Sequence, residues 1–519
     1  MNTATTKIQA FRTALYALFP KRGDAIMNLL DALISTGHQA KSPVQLSHAH
    51  CFQRQYSSVT DAIADGLPYA QWDQIMRLAY ESTKPEVSSN MHRFVVDCTP
   101  NPRPFAKKLK DRTINHAPNP APGNKPICVG HQYSTVALLP DDAQAAKKHW
   151  ILPISAQRVR SHQKGNEVGM EQITKIIETL GLTEHLSLSI GDSLYGTLLC
   201  RVAVVEQENR VHLFRLNSSR NVFAPPALAD KKGSTGRRKE FGKKMKLNDP
   251  STHPPCDDQT TTTWTTRRGK QYTVHIRCWK NFLLRGSRKF RSSLHPMNVI
   301  QVVVKDETGQ PLYQRPLWLA VLGKRRDELD LIQCYENYKN RYDIEHFFRF
   351  GKRCLLMDAY QTPEVEHEEL WWKLCLLAYV ELYLARSAVP LLPNPWERYL
   401  PAYKDASEAE KITTPSQTQR GFVRLLESIG TPAADCVPRG KPRGRQTGEV
   451  VPVRENQAII FKQLKSEIST LKKVLSTSDI EAKQSSSQTI QTLINEVHAK
   501  LTKLGFTPTE FVKLFQDSG

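Results

Sequence analysis

Paired cysteines and long apolar runs are both missing from this 519-residue sequence. Its ten cysteines include no CxxC pair and no zinc-ligand spacing, so the sequence predicts reduced thiols and no cysteine metal site. The N-terminus has no apolar run ending in a small-residue cleavage site, so we expect no secretory signal. The most apolar stretch, 371–392, contains Lys373, Glu381 and Arg386, which favours a buried helix over a membrane span. These absences predict a cytoplasmic protein without a membrane partner.

The sequence also has fewer acidic than basic residues. The chain has 51 Asp and Glu against 72 Lys and Arg, which leaves a net charge of +21. The excess is concentrated in residues 210–291, which contain 20 Lys and Arg but only 5 Asp and Glu. Such a concentration of positive charge predicts a polyanionic partner, and nucleic acid is the partner we expect.

Two aspartates follow short strand-like segments. The segment HRFVVD ends at Asp97, and the segment HLSLSIGD ends at Asp192. A carboxylate at the carboxyl end of a strand points into the crevice where α/β sheets bind ligands, so both are candidate site residues. A turn-forming role after the strand is an equally good interpretation of Asp97 when it is taken alone.

The order of predicted elements indicates the fold. Strands are predicted at 127–139, 150–159 and 210–217, with a helix at 166–180 and a second helix running to Val204. Together with the strands before the two aspartates, this gives the order β-β-β-α-β-α-β of a ribonuclease H-like core, an α/β fold with a mixed sheet. The first and fourth strands of that fold are neighbours, so we expect Asp97 and Asp192 to meet at one sheet edge.

A third set of polar residues lies in the segment YENYKNRYDIEHFFRFGK, residues 335–352. Tyr338, Arg341, Glu345 and Lys352 fall at helical spacing, within roughly a 60° wedge of one helix face. That face carries a carboxylate between two cations, and phosphate is its natural partner. An ordinary ion-pair surface is the common alternative for a Glu four residues from an Arg.

The pattern Tyr-x2-Arg-x3-Glu-x6-Lys resembles the signature of bacterial insertion-sequence transposases of the DDE type. The resemblance implies that Asp97, Asp192 and Glu345 form the catalytic, metal-binding triad. It implies two Mg²⁺ ions, for which Mn²⁺ could substitute, because Mg²⁺ prefers oxygen ligands and a pair of ions can activate the attacking group and stabilise the leaving oxygen. The implied activity is cut-and-paste cleavage and strand transfer, with the hairpin ends known for relatives.

The resemblance also implies the DNA contacts. Tyr338, Arg341 and Lys352 are expected to contact phosphate at the transposon end. A basic, β-rich insertion should neutralise the DNA backbone through its cluster of cations, which consists of Lys231, Lys232, Arg237, Arg238 and Lys239. The expected partners are double-stranded DNA, at the element's ends and at the target, and a second copy of the chain in a bacterial, nucleoid-associated complex.

Six regions are expected along the chain. They are a helical N-terminal domain (1–88), the first part of the core (89–221), the basic β-rich insertion (222–331), the second part of the core with the Glu345 helix (332–395), a Pro/Gly/basic linker (396–454) and a helical C-terminal region (455–519). The N-terminal helices could recognise DNA ends or serve packing and dimerisation. The C-terminal helices could dimerise subunits or grip DNA, and the Arg443-Gly-Arg445 sequence resembles an AT-hook or is a basic linker.

Three questions of function stay open at this point. Trp264 and Trp279 are candidates for stacking on a flipped base, although a Trp in a strand of a small β region is usually a core residue. A nuclease of the same fold would cleave DNA without strand transfer. A transposase-derived binding protein would bind DNA without cleaving it.

Overall fold

The computed structural model describes residues 3–87, 91–116, 126–226, 240–266, 270–285, 294–389, 396, 399, 413–437, 444, 446–450 and 453–460. Within these residues a ten-stranded mixed sheet forms the centre of the structure, and a two-stranded sheet lies beside it. The strands are β1 (His92–Pro102), β2 (Thr113–His116), β3 (Ile127–Leu138), β4 (Leu152–Val159), β5 (Ser187–Gly191), β6 (Arg210–Leu216), β7 (Asn221–Phe223), β8 (Lys244–Lys246), β9 (Asp258–Thr265), β10 (Gln271–Phe282), β11 (Met297–Lys305) and β12 (Leu317–Leu322).

Helices surround the sheet. They are α1 (Thr3–Ala17), α2 (Gly23–Thr36), α3 (Ser57–Asp61), α4 (Trp72–Val87), α5 (Ala143–Lys147), α6 (Gly165–Leu180), α7 (Leu198–Val205), α8 (Leu331–Asn340), α9 (Asp343–Cys354), α10 (Val365–Ala385) and α11 (Pro415–Ile429). The predicted helix at 166–180 is α6, which packs on β1, β3 and β4. The helical character predicted for residues 1–88 agrees with α1 to α4.

The large sheet has the strand order β2-β3-β1-β5-β6-β12-β11-β10-β9, and β4 pairs with β3. The pairs β1–β5 and β5–β6 are parallel, and the other pairs are antiparallel. All five residues of β5 are buried, as expected for a parallel strand covered on both faces. The predicted mixed α/β class is confirmed, and the first and fourth strands of the core are neighbours as predicted.

The predicted β-rich insertion contributes strands to the same sheet. The strands β9 to β12 lie within the predicted insertion, and β12 pairs with β6 from Trp318 opposite Leu216 to Leu322 opposite His212. The sheet therefore runs without a break from the predicted core into the predicted insertion. The domain boundaries themselves remain a prediction.

The C-terminal predictions fall mostly outside the described residues. In residues 453–460, the backbone N–H groups of Gln457 and Ile460 donate to the carbonyl oxygens of Lys107 and Arg112, and Ile460 forms a bridge with Thr113 in β2. The predicted helical region 455–519 is wrong over residues 455–460, because these residues form no helix and the two N–H groups bond to a distant part of the chain. The rest of the predicted C-terminal helices, at 461–519, and the two arginines of the AT-hook-like sequence, Arg443 and Arg445, are outside the described residues.

The helix α10 is the central helix of the core. It is buried almost continuously from Leu370 to Ala385 and packs on β4, α1, α2 and α11. An α-helix that is apolar on all sides belongs in the interior of a protein, so the predicted buried helix is confirmed. Among the described residues, no helix has the length and apolar character needed to cross a membrane.

A buried ion-pair cluster joins the N-terminal helices to α10. Arg12 of α1 donates to Glu381 of α10 at 2.5 Å and to Asp31 of α2, and all three side chains are almost completely buried. Burial raises the pKa of Glu381 to about 7; Arg12 opposes this shift and the Asp31 carboxylate adds to it. One cation thus holds two carboxylates in the core, and a charge without its partner would be strongly destabilising there.

We expect Glu381→Gln to change how stability depends on pH. The pKa of Glu381 in the folded protein, about 7, lies above its ordinary value of 4.5, so the folded state binds the extra proton between these values. The wild type should therefore lose stability, relative to the variant, as pH rises from about 5 to about 8, by on the order of 2 kcal/mol. Urea unfolding at both pH values measures the difference.

Glu366→Gln provides the control, because Glu366 is an exposed residue in the first turn of the same helix. Its free energy of unfolding should follow that of the wild type at both pH values. A Glu381→Gln variant that keeps a constant difference from the wild type would contradict the role assigned to the buried proton.

Candidate active site

Asp97 and Asp192 lie at the same level of two neighbouring parallel strands. The last residues paired between β1 and β5 are Val95 and Ile190, and each aspartate is two residues further along its strand direction. The strand β1 continues past Asp97 to Pro102 by pairing with β3, so the prediction that the strand ends at Asp97 is wrong. The strand β5 ends at Gly191, immediately before Asp192, as predicted. The predicted meeting of the two aspartates at the carboxyl end of β5 therefore agrees with the strand register.

The turn after β5 fixes Asp192. Its carboxylate accepts a hydrogen bond from the backbone N–H of Leu194 at 2.8 Å and caps a short 3₁₀ turn over Ser193–Gly196. Tyr195 packs back onto the strand end, where a Cβ atom at Gly191 would lie 2.5 Å from the Cβ of Tyr195. A glycine at 191 thus allows the chain to turn immediately before Asp192.

The segment with the Tyr-Arg-Glu-Lys pattern forms two helices rather than one. The helix α8 ends at Asn340 and α9 begins at Asp343, so the prediction of four residues on one helix face is wrong. The N–H groups of Ile344 and Glu345 donate to the carbonyl oxygens three residues earlier. These bonds tighten the chain to a 3₁₀-like turn, which interrupts the regular helix at Arg341–Tyr342.

Arg341, at this junction, contacts two of the three predicted carboxylates. Its Nη1 atom lies 3.2 Å from Oδ2 of Asp97, and its Nη2 atom lies 3.6 Å from Oε1 of Glu345. The guanidinium also lies over the ring of Tyr338, at 5.6 Å from the centroid. The break between the helices therefore still brings Tyr338, Arg341 and Glu345 together at the end of β5 and the middle of β1.

Lys352, two turns after Glu345 in α9, reaches the same strand. Its Nζ atom donates to Oγ1 of Thr99 at 2.9 Å and to the carbonyl oxygen of Pro100 at 2.7 Å. Both acceptors belong to β1, just after Asp97. In this structure the Lys352 ammonium therefore stabilises the packing of α9 on β1, and its predicted phosphate contact stays a prediction.

The electrostatics of Asp97 reflect the other two carboxylates. Burial raises the pKa of Asp97 to about 6. The Arg341 charge and the hydrogen bond from the Cys98 N–H lower this pKa, while the charges of Asp192 and Glu345 raise it. Asp192 and Glu345 are thus each close enough to Asp97 to repel its charge, and Arg341 is the counter-charge on Asp97 and Glu345.

The donor atoms at this position fit a divalent metal with a preference for oxygen. All three side chains offer carboxylate oxygens, and a bound cation would relieve the repulsion that Asp192 and Glu345 exert on Asp97. The side chains of Asp97 and Glu345 are 22% and 38% exposed, so both can be reached from solvent. Asp97, Asp192 and Glu345 are therefore residues that could hold such ions.

A buried network behind the site was not identified from the sequence. Glu368 of α10 accepts hydrogen bonds from Arg103 at 2.9 Å, from His131 at 2.7 Å and from Tyr133 at 3.0 Å. Despite its burial, these donors lower the pKa of Glu368 to about 2. The network ties the ends of β1 and β3 to the central helix. The only signal in the sequence was a glutamate next to an apolar run, which does not identify its partners.

A basic groove adjoins the turn that follows Asp192. Two connected cavities of about 340 and 370 Å³ share Gly196, Ser219 and Arg220. Among the described residues, the charged side chains lining them are all basic, namely Arg201, Arg215, Arg220, Lys244 and Arg285. All but Arg201 belong to the basic segment 210–291. The other predicted cations, Lys231, Lys232, Arg237, Arg238 and Lys239, lie outside the described residues.

The two tryptophans considered for base stacking have different surroundings. Trp279 is 2% exposed and packs against Trp318, with ring centroids 5.6 Å apart, so it is a core residue. Trp264 is half-buried, stacks on Tyr272 at 5.2 Å and has the Lys339 ammonium 4.9 Å from its ring centroid. A stacking role for Trp264 stays a prediction.

Comparison with known families agrees with this geometry. A family model described as "DDE superfamily endonuclease" matches residues 14–275, half of the chain, and the match includes Asp97 and Asp192 but ends before Glu345. The comparison with curated proteins finds no match. Endonucleases of this superfamily use divalent metals and act on DNA. With half of its length matched by the family model, the chain belongs to the DDE superfamily of endonucleases.

Proposed function

We propose that this protein is a DNA transposase that cleaves and joins DNA at the ends of an insertion sequence, with Asp97, Asp192 and Glu345 as its catalytic, metal-binding carboxylates. The observation that supports this most is the pair of contacts from Arg341 to Asp97 and Glu345, which are 248 residues apart in the numbering of the chain. Membership of the DDE endonuclease superfamily supports nuclease chemistry.

The three carboxylates would hold two Mg²⁺ ions, or Mn²⁺ in their place. Such ions, when bound, activate the attacking water or hydroxyl and stabilise the leaving oxygen of a phosphodiester. Asp97 must be ionised to act as a ligand, and its pKa of about 6 makes this form available at neutral pH. If Asp97 or Glu345 served as a metal ligand, guanidinium N–H groups of Arg341 would become available to donate to a DNA phosphate.

The transposase assignment, rather than that of a simple nuclease, is supported by the Tyr338, Arg341, Glu345 and Lys352 pattern. In the proposed reaction a strand is hydrolysed at each end, and the freed 3′-hydroxyl attacks a phosphodiester of the opposite strand, giving a hairpin, or of the target. The new P–O bond replaces the bond to the 3′-oxygen of the attacked strand, which leaves as a 3′-hydroxyl. Two ends must be cut together, so a homodimer holding both ends is part of the proposal. Tyr338, Arg341 and Lys352 would contact phosphate near the cut.

The basic groove beside Asp192 would carry the DNA backbone to the carboxylates. Arg215 and Arg220 are exposed side chains on its wall, and the groove starts at the turn that Asp192 caps. Cations without acidic neighbours attract phosphate regardless of base sequence. The cations at 231–239 would extend this backbone contact.

We expect the carboxylates to be required for cleavage but not for DNA binding. A labelled supercoiled plasmid carrying the element's own ends is incubated with Mg²⁺ or Mn²⁺ and with the wild type, Asp97→Ala, Asp192→Ala or Glu345→Ala. Each variant should cut at least about 10³-fold more slowly, because each removes a ligand of the ions that stabilise the transition state. Gel shifts with the same ends should show DNA binding by all three.

Glu208→Ala is the matched control, since Glu208 is an exposed carboxylate paired with Lys324 away from the site. It should cleave like the wild type. Normal cleavage by any of the three site variants would contradict the triad. Cleavage without joining of a labelled 3′ end to target DNA would identify a nuclease without strand transfer, and wild-type binding without cleavage in either metal would identify a DNA-binding protein derived from a transposase.

Asp97→Asn should stabilise the metal-free protein while it abolishes cleavage. The fold disfavours the ionised carboxylate, because the pKa of Asp97, about 6, is above its ordinary value of 3.8. At about pH 8 the neutral amide should therefore raise the free energy of unfolding by on the order of 1 kcal/mol or more. The gain should shrink at about pH 5, where Asp97 is protonated in the wild type. A variant less stable than the wild type at the higher pH would contradict the raised pKa of the buried Asp97 carboxylate.

Arg215→Ala and Arg220→Ala should weaken DNA binding without regard to base sequence. Each variant should reduce the slope of log K against log salt concentration by about 1, because one phosphate contact is lost. Lys324→Ala, which removes an exposed cation paired with Glu208, is the control and should keep the wild-type slope. Fluorescence anisotropy at several salt concentrations measures the slopes, and unchanged slopes in both groove variants would exclude the groove as a path for the backbone.

A further inference from the structure

Two histidines and an aspartate meet at the start of α9, away from Arg341. Asp343 and His346 are three residues apart in α9 and so share a helix face, while His149 belongs to the loop between α5 and β4. The Nδ1 atom of His149 lies 2.5 Å from Oδ1 of Asp343. One potential ligand atom from each residue lies within 4.8 Å of the other two.

The backbone holds His149 firmly in this position. Its φ angle of 59° is in the left-handed region, which residues other than glycine adopt at a cost of roughly 1–2 kcal/mol. The His149 N–H donates to the carbonyl oxygen of Ala146, and the next residue, Trp150, is completely buried. A fixed loop therefore presents the imidazole to α9, and such local strain is often found at functional positions.

The surroundings combine a buried carboxylate with an accessible imidazole. The side chain of Asp343 is 6% exposed and that of His149 is 37% exposed. The rings of His149 and His346 are stacked, with centroids 4.2 Å apart, and Tyr342 packs edge-on against His346. An ion could reach the imidazoles from solvent, and the buried carboxylate of Asp343 would supply negative charge to it.

We propose that His149, Asp343 and His346 form a binding site for a divalent transition-metal ion of the Zn²⁺ class. Two imidazole nitrogens and one carboxylate oxygen suit such an ion, whereas Mg²⁺ prefers oxygen ligands alone. Three protein ligands leave the fourth position of a tetrahedral zinc site for water. Entry of the ion would separate the stacked rings.

The site has a mechanical connection to the candidate active site. Glu345 lies between Asp343 and His346 in sequence, yet its carboxylate contacts Arg341. An ion held by the three residues would tie the α5–β4 loop to the first turn of the helix that carries Glu345. Metal binding at this site does not depend on the proposed transposase activity.

Co²⁺ absorption spectroscopy on the full-length, untagged, chelator-treated protein tests the proposal. Titration is carried out with Mg²⁺ in excess, which occupies the carboxylate site. One equivalent of Co²⁺ should bind with d–d bands and without the charge-transfer band of a thiolate ligand, and Zn²⁺ should displace it. His149→Asn and His346→Gln should each weaken Co²⁺ binding, and asparagine tolerates the left-handed backbone at position 149. Losing the hydrogen-bond partner of a metal ligand weakens binding roughly 10- to 100-fold, and losing the ligand itself should weaken it more.

Arg349→Ala, at an exposed position of the same helix, is the matched control and should keep the Co²⁺ spectrum. Thermal melting of the metal-free proteins separates loss of the site from loss of the fold; if His346→Gln unfolds, His149→Asn decides the result. Failure of the wild type to bind Co²⁺ would overturn the proposal, and the three residues would then be a stacked histidine pair held by an aspartate. Retained binding in a folded His149→Asn variant would equally overturn the site. Neither result depends on DNA cleavage.

Discussion

The burial of the Asp97 carboxylate beside a single cation is the constraint around which this part of the structure is organised. Asp97, Asp192 and Glu345 come from a strand interior, a strand end and a helix; burial is the main cause of the raised pKa of Asp97, and the nearby charges of the other two carboxylates add to it. The Arg341 guanidinium bonds to Asp97 and lies near Glu345, and it occupies the turn between α8 and α9. The break in the helix and the position of the cation are therefore parts of one arrangement.

The same balance of charge is repeated along α10. Near the start of the helix, Glu368 accepts hydrogen bonds from Arg103, His131 and Tyr133. Further along, Glu381 accepts a hydrogen bond from Arg12. The first cluster attaches the carboxyl-terminal half of β1 to α10, and the second attaches the N-terminal helices to α10. Both need matched partners, because an isolated charge in the core is strongly destabilising. The central helix thus joins separate parts of the chain through ion pairs as well as apolar contacts.

Much of the core could be predicted because its signals are local. Alternating segments that end in aspartate gave the strands before Asp97 and Asp192, and the spacing of Arg341 and Glu345 predicted an interaction between them. The break at Arg341–Tyr342 could not be predicted, because it depends on hydrogen bonds to the carbonyls three residues back rather than on residue type. The sequence pattern of a strand also does not specify which other strand it pairs with, so the pairing of β12 with β6 could not be predicted. The contact of His149 with Asp343 spans 194 residues, and no local pattern identifies it.

The attachment of residues 453–460 to β2 has a consequence for handling the protein. β2 is the terminal strand of the sheet, and a terminal strand exposes N–H and C=O groups that can pair with another molecule. Gln457 and Ile460 bond to the segment leading into this strand, and Ile460 lies beside Thr113. The chain thereby shields part of its own sheet edge. A shortened protein that ends before residue 453 would leave a template for intermolecular strand pairing, and poor solubility of such a fragment would reflect that edge rather than a damaged core.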